Sequence, residues 1–205
     1  MKKGEATRQA ILAHAAQVAS RSGLDGLTIG LLARELKLSK SGLFAHFQSK
    51  EALQAQTLRH AAELFTERVV RPALRAPRGE PRVRDLFERW LSWDEANTLR
   101  GGCLFVAAAT ELDDREGLVR DELVRHQKDW LDLIANVART GVDEGHFGPD
   151  LDPDQFAHDV NGVMLGYHHS RRLLRDPRAG ERARRAFEAL LAQVRAQPRR
   201  RARAS

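Results

Sequence analysis

Only one cysteine, Cys103, occurs in the 205-residue chain, so no internal disulfide framework can form and a reducing compartment suits it. No uninterrupted apolar run reaches the length that a bilayer crossing requires. The N-terminal stretch MKKGEATRQAILAHAAQVAS starts basic, but Arg8, Gln9, His14 and Gln17 interrupt its apolar residues, so it lacks the core of a signal peptide. The expectation is a cytoplasmic protein with no membrane partner. Strict alternation of apolar and polar residues, the mark of a half-buried strand, is missing from every window. Missing too are H-E-x-x-H, a glycine-rich phosphate loop and G-x-S-x-G. No catalytic residue is therefore assigned, no enzyme activity is expected, and no cofactor is implied.

Spacing also argues against a metal. His168 and His169 are adjacent, so on a helix they point to different faces and cannot both grip one ion. Asp150, Asp152 and Asp154 imitate the first ligands of a calcium loop, but Gln155 stands where its glycine belongs and Asn161 where its closing glutamate belongs. Capping of the helix that follows is the better account of these aspartates.

What the chain does have is helical periodicity and unevenly placed charge. It is 42% hydrophobic and 30% charged, with a net charge of +6, and its length allows one or two compact domains. Residues 1–50 carry Lys2, Lys3, Arg8, Arg21, Arg34, Lys37, Lys40 and Lys50 against Glu5, Asp25 and Glu35, a local charge of +5. Arg199, Arg200, Arg201 and Arg203 add four positive charges near the C-terminus, leaving −3 for residues 51–197. A basic front on an acidic body suggests that one part of the chain meets a polyanion, although scattered surface charge could give the same totals.

Ile11, Leu12, Ala15, Val18 and Ala19 form an apolar stripe at helical spacing, ended by the glycines of RSGLDG. Thr28 caps a second helix with Ile29, Leu32, Ala33 and Leu36 turned inward. Ser39 and Ser49 bracket a third, Lys40–His46, whose two turns are too short to stand without packing partners. A fourth starts at Lys50 and carries Leu53, Thr57, Leu58, Ala61, Leu64, Phe65 and Val69 as far as Pro72. Later helices are expected over Pro81–Trp93, GGCLFVAAATEL, Leu118–Arg139, from Pro153, and from Ala179 to about Ala196. The fold class is all-α.

Thr28–Leu36, the turn Lys37–Leu38–Ser39 and Lys40–His46 have the spacing of a helix-turn-helix. Leu43 and Phe47 would seat the short helix on the first and fourth, leaving Lys40, Ser41, Gly42 and His46 outward, where they can enter a major groove about 12 Å wide. Lys40 can donate to guanine acceptors or to a phosphate. Thr28 and Lys50 lie at helix N-termini, where backbone N–H groups favour phosphate oxygens. The competing reading is a helical protein–protein interaction module that binds no DNA.

The stretch ILAHAAQVASRSGLDGLTIGLLARELKLSKSGLFAHFQSKEAL, Ile11 to Leu53, closely resembles the DNA-binding region of the TetR family of transcriptional regulators. The early helix, Gly-x-x-x-x-Thr, the Leu-Ala pair, the turn and Phe-x-x-Lys all fall in register. The resemblance implies that Thr28, Lys40, Ser41, Gly42, Phe44, His46 and Lys50 face DNA. Two positions depart from the family's pattern. Lys37 replaces a usual Gly, which asks a non-glycine residue for a left-handed turn, and Phe44 replaces a usual Tyr, which removes a hydroxyl that often reaches a phosphate.

The resemblance extends to GGCLFVAAATELDD and GVMLGYHHSRRLL. It implies an N-terminal three-helix DNA-binding domain over residues 1–53 and a helical ligand-sensing and dimerising domain over 54–197; by its composition, PRRRARAS over 198–205 is expected to be a basic disordered tail. The expected function is a ligand-responsive repressor that binds a palindromic operator as a homodimer and is released by a small apolar effector. Large side chains of the body, Trp90, Trp93, Cys103, Phe105, Trp130 and Tyr167, are candidates to line an effector cavity. Gly162 and Gly166 lie one turn apart and would let a second helix approach. With Leu165, and with Phe187, Leu190 and Leu191 on the last helix, they are the candidate dimer interface.

Overall fold

The computed structural model describes residues 3–95 and 98–196. The tail expected over 198–205 lies outside the described residues, as do Lys2 and the side chain of Lys3. Among the described residues the chain is all-α, with a single isolated β-bridge between Phe147 and Arg195. It divides into two compact units that interleave in sequence. One comprises Met1–Pro72 and Arg89–Trp130, the other Ala73–Glu88 and Leu131–Ser205.

The first unit begins with α1 (Lys3–Ser22), α2 (Ile29–Leu36), α3 (Lys40–Phe47) and α4 (Lys50–Phe65). Each short helix starts on a polar side chain: Thr28, Ser39 and Ser49 accept hydrogen bonds from the backbone N–H groups of Leu31, Gly42 and Ala52. These caps satisfy donors that a helix start leaves without a partner. Ile11, Leu12, Ala15, Ala19, Leu32, Leu43, Phe47, Leu53 and Leu58 form a continuous buried core. That core extends to Trp93 of α6 (Glu80–Glu95), to Leu104, Ala108 and Leu112 of α7 (Leu104–Leu112), and to Val119 and Leu123 of α8 (Leu118–Asp143). The α1–α4 bundle is thus built into a larger core.

Two expectations about helix limits need correction. Pro72 does not end the fourth helix: Thr66–Val70 form a π-helical turn, and α5 (Arg71–Ala73) continues the helical path. Proline lacks an N–H and crowds the carbonyl four residues back, so a wider turn, in which the N–H of Arg71 bonds the Thr66 carbonyl, lets the chain continue past it. The glycines of GGCLFVAAATEL precede α7 rather than belonging to it, and Cys103 is its N-cap.

The second unit is built on α9 (Pro153–Arg172) and α10 (Ala179–Val194), which pack along each other. Asp152 caps α9 by accepting from the N–H groups of Asp154 and Gln155, so capping is indeed what the aspartate run does there. Phe156, Val160, Met164 and Tyr167 on α9 and Ala183, Phe187 and Leu191 on α10 point into its core. Phe187 stacks face to face on Phe87, ring centroids 3.9 Å apart.

Candidate nucleic-acid interface

The short helix α3 buries only Leu43 and Phe47 among its eight residues. Lys40, Ser41, Gly42 and Phe44 are exposed and His46 is half-buried. They share the outward side of α3 because α2, α1 and α4 hold the other. Lys37 closes α2 in the left-handed region, at φ 55° and ψ 39°. The N–H groups of Lys37 and Leu38 bond the carbonyls of Arg34 and Ala33, the paired bonds of a Schellman closure. This turn sets the direction in which α3 leaves.

Charge around α3 is open. Arg34, Lys37 and Lys40 are exposed, and among the described residues no carboxylate pairs with any of them. Thr28 and Lys50, the two candidates at helix starts, are placed differently. Thr28 is exposed, its hydroxyl engaged as the α2 cap. Lys50 Nζ donates to the Asp25 carbonyl at 3.0 Å and lies 4.0 Å from its carboxylate. An ammonium has three donors, so this contact aims the group without exhausting it. Ser41 Oγ lies 3.3 Å from Ser39 Oγ.

Behind these residues is a set of contacts that no local sequence signal announced. Arg115 holds Asp25 with two hydrogen bonds at 2.6 and 2.5 Å; those bonds, above all, keep the Asp25 carboxyl below its ordinary range. Glu111 accepts from the Asp25 N–H at 3.1 Å. On α1, Gln17 donates to the Thr98 carbonyl at 2.5 Å and accepts from the Arg100 N–H at 3.1 Å. The Gly101 N–H reaches Ser20 Oγ at 3.1 Å, and a Cβ at Gly101 would collide with the Ser20 carbonyl. The loop between α1 and α2 is therefore pinned by α7 and by the segments on either side of it. Partners some eighty to ninety residues apart leave no periodic trace.

The candidate effector residues fall into different places. Trp93, Phe105 and Trp130 surround Phe65 of α4, with ring centroids 5.5, 6.4 and 5.1 Å from it, all edge-to-face. Phe65 is the centre of this cluster, although helical spacing marks it only as a core residue of α4. The indole N–H of Trp130 and both ring nitrogens of His60 are buried without a hydrogen-bond partner, and burial lowers the His60 pKa. Trp90 and Cys103 are buried in the same unit. Burial pushes the Cys103 thiol up to about 11, which makes it inert. Tyr167 is buried in the core of the other unit.

The candidate dimer residues also separate. Gly162, Leu165 and Gly166 are exposed on α9, and added Cβ atoms at the glycines would meet nothing within 4 Å. Leu190 is half-buried. Phe187 and Leu191, by contrast, are turned into the chain's own core, because Phe87 and the inner face of α9 claim that side of α10. Among the described residues no three His, Cys, Asp or Glu side chains gather to hold a metal ion, and no helix is long and apolar enough to cross a membrane.

The two-turn helix after a Schellman turn, with three unneutralised cations around it, gives this all-α protein the architecture of a helix-turn-helix DNA-binding protein. A family model described as "Bacterial regulatory proteins, tetR family" matches residues 11–57, and one described as "Tetracyclin repressor-like, C-terminal domain" matches residues 79–187. The chain belongs to the TetR family, whose members are transcriptional regulators rather than enzymes and bind operator DNA as dimers and small-molecule effectors. It is 29% identical over 153 residues to the HTH-type transcriptional repressor DhaR of Mycobacterium sp. (strain GP1), covering 73% of this chain and 74% of that protein. A TetR transcriptional regulator from Chloroflexus aurantiacus J-10-FL superposes with a TM-score of 0.83 at 28% identity, over 96% of this chain and 100% of that one. AibR, solved with isovaleryl coenzyme A and operator DNA, shares the fold at a TM-score of 0.69 and 18% identity, over 91% of this chain and 97% of that one.

Proposed function

We propose that this regulator is a cytoplasmic repressor, in which residues 1–53 read a palindromic operator and residues 54–197 sense an effector and dimerise. The observation that carries the DNA-reading part is the exposed side of α3, with Lys40, Ser41, Gly42, Phe44 and His46 beside the unpaired Arg34 and Lys37. Lys40 and the half-buried His46 reach the groove, while Thr28 at the start of α2 and Lys50 on Asp25 approach the phosphates on either side. Repression rather than activation follows the likeness to DhaR, a repressor by name. Two such readers spanning adjacent half-sites require a dimer, and the open face of α9 at Gly162, Leu165 and Gly166 suits close approach of a partner helix.

The effector reading rests on the cluster around Phe65. Aromatic edges from Trp93, Phe105 and Trp130, with a buried indole N–H that has no partner, favour a largely apolar molecule carrying one hydrogen-bond acceptor. Genomic fragments bound by the protein are recovered and footprinted, and the bound complex is titrated with apolar candidates. The reading expects an inverted repeat, two protomers per site, and release by at least one compound that also raises the melting temperature of the free protein. Failure to retain any fragment at low salt would remove the DNA-binding reading and leave a helical interaction module.

A further inference from the structure

Phe44 is 57% exposed, the one aromatic ring among the large apolar side chains left exposed in the described residues. It sits four residues after Lys40 and three after Ser41, so the three side chains share one face of α3. The ring does not stand alone: with Ile29, Gly30 and Ala45 it lines a shallow groove between α2 and α3, with Lys40 and Ser41 completing the rim. Lys40 lies along the same groove, since a Cβ at Gly30 would sit 3.8 Å from Lys40 Cε. The side of the bundle meant for DNA therefore carries an apolar patch set between cations.

A phosphate has no use for that patch. A benzyl ring can donate no hydrogen bond, and the phosphate contact that a tyrosine hydroxyl would make is closed to it. In the major groove one apolar group is offered at the base edges, the C5 methyl of thymine. The geometry points to Phe44 as a specificity-determining residue that packs on a thymine methyl next to the base or phosphate contacted by Lys40. Ile29 and Ala45 flank the methyl, and Gly30 leaves the backbone of α2 low enough for the base edge to approach. The small residues Ser41 and Gly42 let α3 sink until the ring reaches it. This inference rests on the DNA-reading function proposed above and adds which base that surface selects.

Thymine and uracil differ only in that methyl, so replacing single thymines of the operator by deoxyuridine tests the contact without altering any base-edge hydrogen bond. The full-length protein is titrated against operators substituted symmetrically, one position at a time. At one position in each half-site, loss of the methyl should weaken binding about fourfold per half-site, the effect of withdrawing one buried methyl group from an apolar contact. Phe44→Ala should bind the thymine operator more weakly and show no preference between thymine and uracil there, with its circular dichroism unchanged because the side chain is exposed. A protein that binds its operator yet is indifferent to uracil everywhere would overturn this inference and leave the DNA-reading function standing. A Phe44→Ala protein that keeps the full uracil penalty would overturn it as well, by placing the methyl against another residue. A protein that binds no duplex at all would overturn both.

Discussion

The α1–α4 bundle and the α9–α10 unit are both rich in basic side chains, but they use them in opposite ways. In the second unit a set of arginines is paired with carboxylates. Arg84 bonds Glu80 and Glu188, Arg195 bonds Glu80, Arg184 bonds Glu88, and Arg78 lies against Asp143 and Glu144. Glu80 shows the consequence: hydrogen bonding from Arg195, then Arg84, outweighs partial burial and brings its carboxyl down to about 2. Around α3, by contrast, Arg34, Lys37 and Lys40 have no carboxylate partner among the described residues. The first set of charges is satisfied inside the chain, and the second is left without a carboxylate partner among the described residues. Total charge cannot separate these cases, but pairing can.

The sharpest break of that comparison is charge reversal. Arg34→Glu, Lys37→Glu and Lys40→Glu together should reduce operator affinity on the order of 10²- to 10³-fold per half-site near physiological salt, because each neutralised phosphate carries a salt exponent of about 0.9. Arg184→Glu, which breaks the exposed pair with Glu88, should leave operator affinity within about twofold and lower stability by at most about 1 kcal/mol. Fluorescence anisotropy over a salt series measures the first and urea unfolding the second. Equal losses of affinity from both variants would break the comparison.

The α1–α4 bundle, unlike the pairing of charges, was largely legible in the sequence. Thr28, Ser39 and Ser49 announce three helix starts because a cap is a local device, and the structure shows each accepting the expected backbone N–H. The left-handed Lys37 was legible only through the resemblance, which places it where the family usually has Gly. Dimer residues on α10 were less so: periodicity marks Phe187 and Leu191 as apolar, but cannot say whether the face they occupy meets Phe87 of the same chain or a partner. The Arg115–Asp25 clasp and the Phe65 cluster were not legible at all, since nothing local ties residues so far apart.

Glu122 tests whether pairing can also be structural in the first unit. Its side chain is only 6% exposed, and Arg59 and Arg125 both bond it. Burial alone would raise its carboxyl, but hydrogen bonds from the two arginines prevail and bring it down to about 2. A carboxyl whose folded value lies below its unfolded value stabilises the fold above the unfolded value, and that stability is lost as pH falls toward the folded one. The contribution should therefore be present above about pH 4.5 and fade between there and about pH 2. Glu122→Ala should cost about 2 kcal/mol at pH 7, less than a fully buried pair because both arginines are half exposed. The deficit relative to the parent chain should shrink as urea unfolding is repeated at progressively lower pH.

Lys50 occupies the middle ground, partly paired and partly available. Lys50→Ala removes one cation near the phosphates and frees the Asp25 carbonyl, while Arg115 still holds that loop. Operator affinity should fall about three- to tenfold per half-site, and the salt exponent should drop by about 0.9 per half-site. A Lys50→Ala protein with an unchanged salt exponent would assign the lysine to the loop alone and move it to the paired class.

The smallest effect is also the most discriminating, because Lys37 is both a free cation and a strained residue. Its left-handed backbone costs a side-chain-bearing residue roughly 1 kcal/mol or more. Glycine would relieve that cost but give back about half of it through the added freedom of the unfolded chain. Lys37→Gly should therefore stabilise the protein by about 0.5 kcal/mol, a rise in melting temperature of about 1–2 °C. It should also lower the salt exponent of operator binding by up to about 0.9 per half-site, if that cation lies beside a phosphate. Gln48→Gly provides the contrast. Gln48 also has a positive φ, 64°, but with ψ −42° it lies in a γ-turn rather than the left-handed helical region; it carries no charge, so glycine there should raise stability and leave the salt exponent unchanged. If both glycine variants shift the exponent alike, the shape of the turns is what governs DNA affinity. If only Lys37→Gly shifts it, the charge at the end of α2 is what the phosphate meets, and the chain has accepted a strained turn there in exchange for that contact.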